Sequence, residues 1–103
     1  MLDFDRLDEL KKEVGEEDFH DILSLFFEEF EESLAQLITA SPSQQSETLH
    51  FLKGSAMNIG LSKVSELCRT GEEALKAGAT SVDPVKIQDA YDASRSALLE
   101  ARI

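Results

Sequence analysis

The chain has 103 residues, 42% of them hydrophobic and 30% charged, the balance of an ordinary folded domain with one core, not of a disordered chain. Ten Lys and Arg stand against 21 Asp and Glu, a net charge of −11, which argues against nucleic acid or an anionic membrane as partner. One cysteine excludes an internal disulfide, no uncharged apolar run reaches the ~20 residues of a membrane span, and the acidic start Met1-Leu2-Asp3-Phe4-Asp5 is unlike a signal peptide, so a cytoplasmic location is the default.

Helical periodicity dominates, and with two prolines and no sustained alternation nothing reads as a strand. Phe4, Leu7, Leu10 and Val14 predict a short first helix over 4–14, stopped by Gly15. Glu16, Glu17 and Asp18 suit the positive end of a second helix, over 17–40, with the apolar stripe Phe19, Ile22, Leu23, Phe26, Phe30, Leu34 and Leu37. Ser41-Pro42-Ser43-Gln44 combines a cap, a proline at the first helical position and a capping-box glutamine, which opens a third helix over 42–58, broken at Gly60. Leu61, Val64, Leu67, Cys68 and Leu75 mark a fourth over 61–78. Asp83-Pro84 starts a fifth over 84–102, with Ile87, Ala90, Tyr91, Ser94, Leu98 and Ala101 inward. Short connections favour antiparallel neighbours, so the expected architecture is a single all-α domain, residues 1–103: an up-and-down antiparallel four-helix bundle with a short additional N-terminal helix.

Charge is unevenly spread. Residues 1–40 hold 13 acids and 3 bases, residues 41–80 four of each, and residues 81–103 four acids and three bases. The middle stretch is the one an anion can approach without repulsion from its own segment.

That stretch contains the third helix. At about 100° per residue, Gln45, Leu49, Leu52, Ala56 and Ile59 form its core stripe. His50, Lys53, Gly54, Ser46 and Met57 then point outward, and Phe51 lies off the stripe, toward the leading helix or a docked partner. A solvent-facing imidazole is a nucleophile near neutral pH and forms covalent intermediates. A lysine one turn away is a point charge for an incoming anion. Facing solvent, Lys53 is expected to matter little for folding. An outward glycine inside a helix costs about 1 kcal/mol relative to Ala, and close approach of something from outside is one reason to keep it. The same spacing also describes a surface histidine beside a surface lysine.

Leu49-His50-Phe51-Leu52-Lys53-Gly54-Ser55-Ala56-Met57-Asn58-Ile59-Gly60 resembles the motif of histidine-containing phosphotransfer (HPt) domains, and the similarity continues through Leu61, Val64, Leu67 and Cys68 to Glu72. Gly71 departs from it, since the family usually carries leucine before the acid; it is expected to loosen the fourth helix away from the histidine face. The resemblance implies a two-component phosphorelay module, with His50 accepting a phosphoryl group from a receiver-domain aspartyl phosphate and passing it to another receiver aspartate. It implies Lys53 as charge support, Gly54 as the point of close approach, and Ser46, Phe51 and Met57 as partner-binding positions. Partners would be response-regulator receivers and a hybrid or sensor histidine kinase. Mg²⁺ would sit on the receiver, so the chain is expected to need no cofactor or metal and to act as a monomeric carrier, not an enzyme with autokinase activity. No nucleotide motif of the GxxxxGK[ST] or GxGxxG type is present. The initiator methionine and a complete first helix suggest a free-standing chain.

Other readings attach to the same residues. His20, four residues after Glu16, offers half a metal site, or simply a solvated helix face. Cys68 is expected as a small core residue and Tyr91 as an inward side chain in need of a hydrogen-bond partner. The run Glu28-Glu29-Phe30-Glu31-Glu32 reads as a solvated face. A non-catalytic adaptor bundle is the competing function. A di-metal carboxylate bundle needs inward Glu-x-x-His pairs, and here Glu17 with His20 gives one such spacing while Glu47 with His50 points outward.

Overall fold

Asp3 opens the first helix: its carboxylate accepts the Arg6 N–H at 3.1 Å, covering a donor that a helix start leaves unpaired. The computed structural model describes residues 2–101 and contains five helices, α1 Phe4–Val14, α2 Glu16–Thr39, α3 Pro42–Asn58, α4 Ser62–Lys76 and α5 Val85–Glu100. No strand occurs among the described residues. The expected end of the last helix at residue 102 lies outside the described residues, as does Met1.

The punctuation follows the chemistry of the sequence. Gly15 stops α1 at φ 86°. Ser41 and Gln44 form the reciprocal capping box of α3, with Pro42 in its first turn. At α5 the signal is shifted by one residue: Asp83 Oδ1 accepts the Val85 N–H at 3.0 Å, and Pro84 is the last residue before the helix. The end of α3 is fully accounted for. The carbonyls of Ser55, Ala56 and Met57 accept the N–H groups of Ile59, Leu61 and Gly60, and the Asn58 carbonyl accepts Arg6 Nε at 3.0 Å. Gly60, at φ 74°, is required there, because a Cβ would lie 2.8 Å from the Asp3 carbonyl oxygen and 2.9 Å from Leu7 Cγ.

Helices adjacent in sequence pack side by side from α2 to α5, most extensively α3 with α4. α5 closes the ring onto α2. The Tyr91 ring stacks on Phe30 at 4.7 Å and meets Phe27 edge-on at 6.3 Å, and its hydroxyl donates to Glu31 at 2.9 Å. The result is a rod of 43 × 21 × 20 Å with α1 laid against α2.

The core differs from expectation at a few positions. Phe27, not Phe26, is buried on α2, and Ile22 and Phe26 are half-buried. Both phenylalanines satisfy a helical period; the position of Tyr91 decides between them. Phe4 is exposed because α1 rests on Leu7 and Leu10. Ala101 is exposed at the end of α5, and Ala90, Leu67 and Leu75 are half-buried. The expected core of α3, Gln45, Leu49, Leu52, Ala56 and Ile59, is buried throughout, and Ser55 joins it.

Gln45 clasps a distant loop. Its Nε2 donates to the Leu37 and Val82 carbonyls, both at 3.4 Å, and its Oε1 accepts the Val82 N–H at 3.2 Å. The loop between α4 and α5 is thereby held against the start of α3. There Val82 fills the space that Gly71 leaves open: a Cβ on Gly71 would lie 3.2 Å from both Val82 Cγ1 and Leu49 Cδ1. Gly71 is therefore buried packing at the α3–α4 seam, next to the residue preceding His50, and not a loose point remote from the histidine.

Candidate functional site

His50 sits midway along α3 with its side chain 72% exposed. Gly54 is one turn on, exposed, and a Cβ built there meets nothing within 4 Å. No internal packing calls for glycine at that position. Phe51 and Met57 are exposed at 47% and 60%, and Ser46, one turn before His50, is half-buried. The outward face expected of α3 is therefore present, with Ser46 partly sunk.

Lys53 departs from that expectation. Its side chain is only 26% exposed, and its Nζ lies 3.0 Å from Glu72 Oε1. Glu72, on α4, is the residue that periodicity left unassigned. Its side chain is 8% exposed and spans two residues of α3: Oε1 faces Lys53, and Oε2 lies 3.2 Å from His50 Nδ1. A third cation, Lys76, stands 3.9 Å from Oε2. Burial pushes the Glu72 carboxyl up, but hydrogen bonds and charge from Lys53 and His50 outweigh it, so its pKa lies below the usual glutamate value. The sequence did carry a signal. Glu72 follows Val64 and Cys68 at intervals of four, which puts an acid on the apolar stripe of α4, and a buried acid needs a partner.

Beside the histidine, not over it, a groove of about 580 Å³ runs from Lys53 and Met57 to Arg6 and Arg69. The remaining candidates fall elsewhere. His20 is exposed, with its ring edge-on to Phe19 at 5.8 Å. Cys68 is fully buried, and burial, followed by the nearby Glu72 charge, pushes its thiol up to about 12 against the pull of Lys53. Burial and the Glu31 hydrogen bond likewise raise Tyr91. Glu31 is thus not merely solvated: it takes both Tyr91 and Arg95, the latter at 2.8 Å. Among the described residues no three His, Cys, Asp or Glu side chains are grouped to hold a metal ion, and no helix is long and apolar enough to cross a membrane.

The bundle thus presents an exposed imidazole, braced by a buried carboxylate, from the middle of one helix. The family model of the Hpt domain matches residues 21–102, and the chain belongs to that family. Hpt domains serve histidine phosphotransfer in phosphorelays, as phosphoryl carriers and not kinases, in company with two-component receiver and kinase proteins. No curated protein and no solved structure matches the chain.

Proposed function

We propose that His50 is the phosphoryl acceptor of a two-component relay, taking the group from a receiver aspartyl phosphate and returning it to a second receiver aspartate. The observation that carries this is the 3.2 Å contact between Glu72 Oε2 and His50 Nδ1 on a side chain otherwise open to solvent. A carboxylate on Nδ1 favours the tautomer with its proton there, which leaves Nε2 with the lone pair. In the transfer, that lone pair attacks phosphorus, the N–P bond forms as the O–P bond breaks, and the aspartate leaves as a carboxylate. The ring keeps its Nδ1 proton and gains positive charge, which Glu72 offsets. Positioning and charge compensation are what phosphoryl transfer chiefly requires.

Gly54 supports the reading from the partner's side, because its bare backbone lets a receiver come close to His50. Ser46, Phe51 and Met57 would lie under the docked partner. In this reading the receiver supplies the Mg²⁺, and this chain acts as a monomer without a cofactor of its own. The competing reading, an adaptor bundle with an incidental histidine, predicts no covalent label.

The test is phosphoryl transfer from a labelled receiver. The wild-type chain should take label that is lost in acid and kept in alkali. His50→Gln should take none, and His20→Gln should behave as wild type. Mg-ATP without kinase and receiver should give no label. Label that survives His50→Gln refutes the assignment.

A further inference from the structure

A phosphoryl group carries about −1.5 to −2 charge at neutral pH. A lysine that meets it must be free to leave whatever it already neutralises, and the two lysines at Glu72 differ in this respect. Lys53 is half-buried and lies 3.0 Å from Oε1, an oxygen shut off from solvent. Drawing Lys53 away would strand a carboxylate in the interior. Lys76 is 72% exposed, in the last turn of α4 and one turn beyond Glu72. Its ammonium stands 3.9 Å from Oε2, too far for a hydrogen bond. That same oxygen is the one 3.2 Å from His50 Nδ1, so Lys76 stands on the imidazole side of the carboxylate. With its ammonium in solvent and no hydrogen bond to Glu72, Lys76 gives up little by turning away from an oxygen that His50 also faces, and a lysine side chain is long and flexible. The nearest acid in sequence, Glu47, is exposed one turn before His50 and adds repulsion to be overcome.

We infer, on the reading that His50 is the acceptor, that Lys76 is the cation that binds the phosphoryl group on His50, while Lys53 serves as the fixed counter-ion of Glu72. The lysine of the histidine motif then braces the site, and a lysine from the neighbouring helix touches the cargo.

Phosphoramidate tests this without a receiver: His50 Nε2 attacks its phosphorus, the N–P bond of the reagent breaks and ammonia leaves. The ³¹P shift of the phosphohistidine is then followed against pH in wild type, Lys76→Gln, Lys76→Arg and Lys53→Gln, with folding of each checked by circular dichroism. A contacting cation lowers the pKa of the bound phosphoryl group. Loss of Lys76 should raise that pKa by about half a unit, a threefold change, while arginine restores it. Lys53→Gln should move it less, and 1 M salt should narrow the gap between wild type and Lys76→Gln. An unchanged pKa in Lys76→Gln overturns the assignment, as does an equal or larger shift in Lys53→Gln. If His50 takes no phosphoryl group even in the wild type, the acceptor reading itself falls, and the Lys76 assignment with it.

Discussion

Replacing Lys53 with methionine should destabilise the domain, although the residue belongs to the outward side of α3. The side chain keeps its length and packing, so the change isolates the charge. What remains is Glu72, 8% exposed, deprived of the ammonium 3.0 Å from Oε1. Removing one partner of a buried pair costs about 3–5 kcal/mol. Here Lys53 is itself about a quarter exposed, and His50 and Lys76 still face Oε2, which reduces the expected cost to about 1–2 kcal/mol. For a domain of this size that lowers Tm by about 4–8 °C per kcal/mol. Urea melts at pH 7 of Lys53→Met, Glu72→Leu and the double variant complete a cycle. The double variant should recover much of the loss, because an apolar pair replaces an ion pair on the apolar stripe of α4. It should nonetheless transfer phosphoryl groups slowly, since His50 has lost its Nδ1 partner. Acid supplies an independent check. The folded-state pKa of Glu72 is depressed, so its contribution is complete above the unfolded value of about 4.3 and is lost as pH falls through the folded value. The gap between wild type and Lys53→Met should therefore close below about pH 4. A variant within ~0.5 kcal/mol of wild type at pH 7, with no change in acid, would refute the reasoning.

Gly54→Ala should raise stability by up to ~1 kcal/mol, because nothing lies within 4 Å of the added Cβ, and should slow transfer from a receiver; Gly54→Glu should slow it further. A lower melting temperature combined with normal transfer would remove the docking argument. Gly71→Leu should lower stability by about 1–3 kcal/mol in a urea melt, since the side chain must displace Val82 from Leu49. Cys68, buried with its thiol pushed up to about 12, should resist iodoacetamide at pH 8 in the folded chain and react once urea unfolds it; alkylation at equal rates in both states would contradict its burial.

What could be read from the sequence was whatever lies within a single helix. Ser41, Pro42 and Gln44 start α3 by local hydrogen bonding, and the core stripe from Gln45 to Ile59 follows from period alone. His50 and Gly54 were legible as an exposed pair for the same reason. What escaped depends on contacts between segments distant in sequence. Glu72 meets His50 across 22 residues and two helices. Lys53 looked solvated because its partner belongs to α4. Gly71 looked like a defect because Val82, which fills its space, comes from a loop without periodicity. The choice of Phe27 over Phe26 rests on where α5 sets Tyr91.

The last carbonyl of α3 is capped from 52 residues away, by a guanidinium on a helix that precedes the matched family region. Trimming the chain to residues 21–102 would therefore not be neutral. It would return the Asn58 oxygen to water, remove the Asp3 N–H that reaches the Gly60 carbonyl at 2.7 Å, and uncover the seat of Leu7 and Leu10. The tip of the helix that carries the histidine would fray from its C-terminal end, two turns beyond His50. The first 15 residues thus act as a latch on the far end of the helix that carries His50, and the smallest unit that keeps that helix rigid is longer than the pattern by which the family is recognised.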